Sequence, residues 1–346
     1  MTDGSSGGQP APAVRLRIGL LGAARIAELS IVKPAAATGH RLYAVAARDE
    51  SRAKEFAERH AVEHVHACYA DVLADPEVEV VYNPLANGLH GPWNQRALDA
   101  GKHVLSEKPS AANAAEARLV RTAAQRAGTV FMEAFHYPYH PLFERVCELI
   151  DAGAVGELRH LEAVLRMPAP DKADPRWRLD LAGGSTMDLG CYSLSCLHLL
   201  GQRYAGGSPR VLSGRARERA DLDGVDECLF ADLEFPSGVT GVAGSDMAAS
   251  EWDFHLTVTG SAGEIHVPDF PRPHLDDSLV LRAAGGERVE HLGRRSSYTY
   301  QLEAFAAAVC TGTPVITDAE FSVRSMELVD AAYAAAGLPL RQPTPV

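Results

Sequence analysis

Short apolar runs alternate with charged, helix-forming stretches over the first third of the chain. Residues 14–22 form an apolar run that ends in glycine, and further runs follow at 41–47, 78–82, 103–106 and 129–132. Between them lie 23–37, interrupted near Lys33-Pro34, then 51–60, 93–100 and the Ala-, Arg- and Glu-rich 114–127, all of which read as helices. Strands separated by helices predict a parallel sheet covered on both faces. This unit is expected to end near Ala134.

Beyond about Gly156 the pattern changes to strand-like runs punctuated by Gly or Pro, at 157–165, 210–217, 227–235, 239–244, 254–259, 264–267 and 278–282. Consecutive strands with short turns predict a mostly antiparallel sheet. Helices are expected at 142–151, 192–200, 298–310 and 320–336. The fold class is therefore α/β, with an N-terminal domain on a parallel sheet and a C-terminal α+β domain on a mostly antiparallel sheet. The expected boundaries are a leader at 1–13, a first domain at 14–134 and a second at 135–346.

Composition narrows the class. The 346 residues are 46% apolar and 23% charged, ordinary for a folded chain that needs no staples. Lys plus Arg number 33 against 45 Asp plus Glu, a balance of −12 that argues against a nucleic-acid partner. Six scattered cysteines form no C-x-x-C pair and no zinc spacing, and read as reduced thiols. The leader lacks the order of a secretory signal, and no stretch is long and apolar enough to span a membrane. A cytoplasmic protein without a membrane partner is expected.

The first candidate chemistry is the turn Gly19-Leu-Leu-Gly22-Ala-Ala24, which follows a strand and opens a helix. There, backbone N–H groups and the helix dipole can face a pyrophosphate. The same turn could be purely structural, but its place on the first strand of a βαβ unit favours the dinucleotide. The second strand ends Val45-Ala-Ala-Arg48-Asp49. A carboxylate there would hold the ribose hydroxyl of NAD, whereas a guanidinium would hold the 2′-phosphate of NADP. Arg48 is first in line, so NADP(H) is preferred and NAD(H) is the alternative; a merely solvated Arg48 is the plain reading.

Two further segments carry ionisable groups. Ser106-Glu107-Lys108-Pro109 puts a charged pair at the C-terminal end of a parallel strand, the edge on which open α/β sheets bind ligands. Met187-Asp188-Leu-Gly190-Cys-Tyr192 precedes an apolar helix and places Asp188 and Tyr192 near its start. Taken singly, the first could be a surface ion pair and the tyrosine a core residue. Together with Gly22 to Ala27, the run Tyr82 to His90, Ala100 to Pro109 and Met132 to Phe135, they resemble the glucose–fructose oxidoreductase, inositol dehydrogenase and MocA family. The tyrosine-bearing branch, which includes sugar dehydrogenases, dihydrodiol dehydrogenases and sugar 3-ketoreductases, is the most similar.

The resemblance implies an N-terminal Rossmann dinucleotide-binding domain and a C-terminal α+β domain with a large, mostly antiparallel open sheet. It further implies an NADP-dependent oxidoreductase of sugar-like or polyol alcohols and ketones, assembled as a homodimer or dimer of dimers through that sheet. The resemblance assigns acid/base work to Tyr192, assisted by Lys108 as the second catalytic residue near the tyrosine and the nicotinamide. Cofactor contacts are implied at Gly22, Ala23, Ala24, Arg25, Ile26, Arg48, Leu85, Asn87, His90, Glu107, Lys108, Trp177 and Arg178. The implied substrate contacts are Lys108, His136, Arg178, Asp188 and Tyr192. The sequence departs from the family pattern at Ala24, where glycine is usual, at Ala86, where proline is common, and at His136, where an apolar residue is common.

Physical chemistry makes the assignment plausible. Tyrosine has a pKa of about 10, and an ammonium ~4 Å from a phenolate at an effective dielectric of ~20 is worth about 4 kcal/mol. Burial opposes that pull, so an apparent pKa between about 7 and 9 is expected for Tyr192. His136-Tyr-Pro-Tyr-His140 tempts a metal reading, but no carboxylate accompanies it on a helix, and no metal is expected. His136 is expected to border the substrate cleft or cap a turn, and His198 to be a satisfied core histidine. Two alternative functions stay open: cleavage of a glycosidic bond through transient oxidation by a retained nucleotide, and non-catalytic NADP(H) sensing.

Overall fold

A computed structural model describes residues 15–346; the leader expected at 1–13 lies outside them. Six strands form the first sheet: β1 (Arg17–Leu21), β2 (Arg41–Ala46), β3 (His64–Val65), β4 (Val80–Asn83), β5 (His103–Ser106) and β6 (Phe131–Glu133). Their order is β3-β2-β1-β4-β5-β6 and every pairing is parallel. Side chains alternate between two buried layers: Ile18, Leu20, Tyr82 and Leu105 face one, while Leu21, Val81 and Val104 face the other. Both faces are dry because helices cover both: α1 (Lys33–Thr38), α2 (Glu50–His60), α3 (Tyr69–Ala74), α4 (Asn87–Asp99) and α5 (Ala114–Ala127).

Three differences from expectation have local causes. The helix after β1 begins only at Glu28, as a π-helical turn Glu28–Val32 that runs into α1, so residues 23–26 stay an open turn. The fourth helix starts at Asn87 rather than Trp93, although its first turns hold Gly88, Gly91 and Pro92. A Cβ on Gly91 would lie 2.1 Å from Glu116 Cδ, so packing against α5 requires the glycine that obscures the helix in the sequence. Finally, β3 is two exposed residues, too short for a hydrophobic pattern.

The chain then passes α6 (Pro141–Asp151) and α7 (Cys191–Tyr204) and builds a second sheet. Its strands are β7 (Leu158–Arg166), β8 (Arg210–Arg219), β9 (Leu222–Glu234), β10 (Thr240–Asp246), β11 (Asp253–Gly260), β12 (Gly263–Val267), β13 (Ser278–Ala283) and β14 (Gly286–His291). The order is β14-β13-β12-β11-β7-β10-β9-β8, antiparallel except where β10 meets β7. Along β11, Phe254, Leu256 and Val258 are buried while His255 and Thr257 are only half-buried, so one face carries the core and the other is open and polar. The last strand of the sheet was not expected, because 286–291 holds mostly charged, exposed residues.

Two closing helices, α8 (Ser297–Thr311) and α9 (Ala319–Ala335), return the chain to the first half. Leu302 and Phe305 of α8 enter the core on one face of the parallel sheet, and α9 packs against α5. Among the described residues no helix is long and apolar enough to cross a membrane.

Candidate active site

The turn after β1 is a backbone cradle. Gly22 holds φ at +103°, a value that excludes most side chains, and its N–H donates to the Ala46 carbonyl at 2.7 Å. A Cβ there would approach Leu85 Cδ2 to 3.2 Å, which brings the β4–α4 loop beside the turn. Ala23 and Ala24 are half-buried, and Arg25 and Ile26 are exposed. Arg52 donates to the Ala23 carbonyl at 3.0 Å. At the end of β2 Arg48 is exposed, whereas Asp49 is committed to capping α2 through the Ser51 N–H at 2.9 Å. Open backbone at a helix start, a glycine with no room for a side chain and an exposed guanidinium fit a phosphorylated dinucleotide.

The ends of β4 and β5 are braced from behind. Tyr82 donates to Glu107 Oε1 at 2.7 Å and also bonds Ser30 in the π-helical turn. Glu107 is buried, which raises its carboxyl pKa against the pull of the Tyr82 hydroxyl and Lys108. His90 sits between the carbonyls of Pro109 at 2.7 Å and Leu85 at 2.8 Å; burial holds its pKa at about 4, so the neutral ring donates to one of them at a time. Asn87 reaches the Ala182 carbonyl at 3.4 Å. Thus Glu107 and His90 stiffen the strand ends from within the fold.

In front of them, Lys108 and Tyr192 converge from opposite halves of the chain. Lys108 Nζ lies 4.7 Å from the centroid of the Tyr192 ring, donates to the Asp188 carbonyl at 2.7 Å and faces Asp188 Oδ1 at 3.5 Å. Asp188 and Tyr192 flank the start of α7, the aspartate in a π-helical turn Thr186–Gly190 continuous with the helix and the tyrosine in its first turn. Phe135 meets the Tyr192 ring edge-on at 5.2 Å between centroids. His136 Nε2 is 3.4 Å from the Tyr192 hydroxyl, its Nδ1 is 2.8 Å from Ser297 Oγ, and Tyr298 lies against its ring at 3.8 Å.

The electrostatics correct one expectation. Burial works most strongly against the Lys108 charge, but Asp188, Cys191, Glu107 and Tyr298 together outweigh it and the lysine pKa ends above its ordinary value. The Tyr192 pKa, expected between about 7 and 9, is instead raised well above 10, by burial first and then by the Glu107 charge. The ammonium sits over the ring face and bonds to Asp188, so it is not spent on a phenolate. The site therefore presents a cation next to a phenol that keeps its proton.

Comparison with known proteins identifies the family. The profile described as "Oxidoreductase family, NAD-binding Rossmann fold" matches residues 16–135, and the "GFO/IDH/MocA C-terminal domain" matches 143–266. A D-xylose 1-dehydrogenase (NADP(+)) from Haloferax volcanii is 36% identical over 93% of this chain and 97% of its own length. The chain belongs to the GFO/IDH/MocA oxidoreductase family. A dTDP-3,4-didehydro-2,6-dideoxy-α-D-glucose 3-reductase from Streptomyces violaceoruber is 35% identical over 93% of this chain and 96% of its own. The structure of a 3-ketoreductase from Actinomadura kijaniata, in complex with NADP and TDP-benzene, superposes with a TM-score of 0.86 at 29% identity, covering 93% of this chain and 98% of the other.

Other residues anticipated from the GFO/IDH/MocA resemblance are placed differently. His136 is only 2% exposed, so it reaches the site by its Nε2 edge from beneath, and does not line an open cleft. Trp177 is buried in the second core with the Arg219 guanidinium 4.4 Å from its ring. Arg178 is exposed and pairs with Asp180. Both border a cavity of about 790 Å³ that Asp174, Leu222, Val225 and Pro339 also line, and whose walls include neither Lys108 nor Tyr192. His140 caps α6 through the Leu142 N–H at 3.0 Å, and His198 is bonded to Ser208. Among the described residues no three His, Cys, Asp or Glu side chains are grouped to hold a metal.

Arg176 and Tyr298 were not anticipated. Arg176 Nη1 donates to Asp188 Oδ2 at 3.3 Å, joining the far side of the carboxylate that faces Lys108. Its only local signal is the alternation Asp174-Pro-Arg176, ordinary for a surface loop.

Proposed function

We propose that this oxidoreductase uses NADP(H) to interconvert an alcohol and a ketone on a sugar-like or polyol substrate, with Tyr192 as the acid/base group and Lys108 as its partner. The observation that carries the reading is the neutral, buried phenol of Tyr192 beside an ammonium neutralised from behind by Asp188. NADPH bound at the Gly22 turn would supply the hydride. In the reducing direction Tyr192 gives its proton to the carbonyl oxygen, and Lys108 polarises the same oxygen and stabilises the charge that develops on it. In the oxidising direction the step reverses: the alcohol oxygen gives its proton to the deprotonated Tyr192 while Lys108 steadies the charge on both oxygens. Arg48 would hold the 2′-phosphate, since Asp49 is occupied by the helix cap. The NADP-linked names of the Haloferax and Actinomadura relatives support this choice.

The remaining parts of the reading are coarser. The substrate chemistry follows the sugar names of the relatives, and the open, polar face of the second sheet is proposed to form a homodimer. All six cysteines are unpaired, consistent with a cytoplasmic protein. We also propose the division into 14–134 and 135–346, with α8 counted as a C-terminal helix that packs on the first half.

The test is a panel of keto-sugars and polyols with NADPH and NADP⁺, followed at the reduced nicotinamide absorbance. Stoichiometric NADPH consumption with a ketone supports the reading. Glycoside cleavage without net cofactor turnover, or tight NADPH binding with no turnover on the whole panel, overturns it in favour of the bond-cleaving or sensing alternatives.

A further inference from the structure

Five charged side chains run in alternating sign from the dinucleotide turn to the site lysine. Arg25 Nη2 lies 3.2 Å from Asp174 Oδ2. Arg176 grips the same carboxylate twice, Nε to Oδ1 at 3.0 Å and Nη2 to Oδ2 at 3.1 Å, while Asp174 Oδ1 also accepts the Arg176 N–H at 3.1 Å as the cap of the turn Pro175–Trp177. The free Nη1 of Arg176 goes on to Asp188 Oδ2 at 3.3 Å, and Asp188 faces Lys108.

The links differ in strength. The inner ones are forked or largely removed from solvent: the side chains of Asp174, Asp188 and Lys108 are 9%, 17% and 14% exposed. The outer one is a single contact from a guanidinium that is 88% exposed, where ion pairs contribute little. Burial opposes the Asp174 charge, but Arg176 prevails and holds that carboxyl at about 2, so the carboxylate is always available. Arg25 stands in the turn proposed to face phosphate, and it cannot serve that phosphate and Asp174 equally well.

We propose that Arg176 is a positioning residue that holds Asp188, and with it the Lys108 ammonium, against Tyr192, and that the Arg25–Asp174 contact couples this grip to occupancy of the dinucleotide turn. Arg25 leaves Asp174 for an anionic phosphate, Asp174 then belongs to Arg176 alone, and the better-anchored guanidinium keeps its Nη1 on Asp188 beside Lys108. The positioning half rests on the hydride-transfer reading; the coupling half needs only that the turn binds NADPH.

Asp174→Asn separates coupling from plain structural support, because the coupling moves binding and turnover in opposite directions. With Arg25 freed, NADPH is expected to bind ~3-fold tighter by nicotinamide fluorescence, while kcat falls about 10-fold as Arg176 loses its anchor. Asp174→Ser, which keeps the cap, carries the same expectation if the amide variant does not fold. Arg176→Gln is expected to lower kcat about 10-fold with an unchanged NADPH dissociation constant and melting temperature, and Arg176→Lys to recover part of the loss. Weaker or unchanged NADPH binding in the Asp174 variants overturns the coupling, and a kcat within twofold of wild type for Arg176→Gln overturns the positioning role. If the unaltered protein turns over no keto-sugar, the hydride-transfer reading fails separately and takes the positioning role with it, while the binding measurement still decides the coupling.

Discussion

The dinucleotide turn and the lysine–tyrosine pocket lie at the ends of β1 and β5, separated in one sheet by β4, yet they are built in different ways. The turn is made of backbone from one contiguous segment, Gly22 to Ile26, and is open to solvent. The pocket is made of side chains from four separate segments: Lys108 beyond β5, His136 beyond β6, Asp188 and Tyr192 at α7, and Tyr298 in α8. A backbone cradle tolerates side-chain changes so long as its φ values are reachable. A pocket assembled across the fold depends on each side chain and on the dielectric around it.

The largest expected effect is in the pocket. Tyr192→Phe removes the proton donor without altering the ring packing against Phe135, so kcat should drop by ~10²-fold or more while NADPH affinity stays within about twofold. Wild-type turnover in that variant would dissolve the contrast between the two regions.

Next comes a pH effect at the end of β6. Glu133 is fully buried and its pKa is raised to about 7, chiefly by burial, with only partial relief from the Ser110 N–H at 2.7 Å. A folded-state pKa above the unfolded value means that the group favours the fold when protonated. Its contribution is complete below about 4.5 and is lost as pH rises through about 7, amounting to ~3 kcal/mol at most. Urea unfolding of Glu133→Gln should lack this decline; identical pH slopes for the two proteins would show that Glu133 does not titrate there.

Gly22→Ala probes the turn. The strain of a non-glycine residue at φ +103°, with Leu85 close by, should cost about 1–3 kcal/mol, divided between melting temperature and NADPH affinity. Turnover at saturating NADPH should fall less than affinity, the reverse of Tyr192→Phe. The smallest effect is expected at Arg48. Arg48→Ala should weaken NADPH about 10-fold and leave NADH nearly unchanged, and an equal loss for both nucleotides would remove the 2′-phosphate contact from the turn's account.

What could be read from the linear order follows the same divide. Alternation of strand and helix, the Gly22 turn and the 114–127 helix are local patterns, and each appears in the structure close to its expected place. The start of α4 was hidden because Gly88 and Gly91 are there for contacts with Leu181 and Glu116, far away along the chain. Arg176 was missed because nothing near it marks a loop whose guanidinium reaches Asp188. The position of Tyr192 was recognisable from its motif, but its pKa was not, since the burial that raises it is supplied by Phe135, His136 and their neighbours.

The sequence by itself determined a parallel sheet buried on both faces, a glycine turn suited to phosphate and the pair of residues worth watching, because periodicity and backbone freedom are properties of neighbours along the chain. Tertiary structure alone decided that Lys108 is paired with Asp188, that Tyr192 keeps its proton, and that Arg176 stands behind both. Charge–charge energies depend on distance and on the exclusion of water, and both are set only when remote segments pack together.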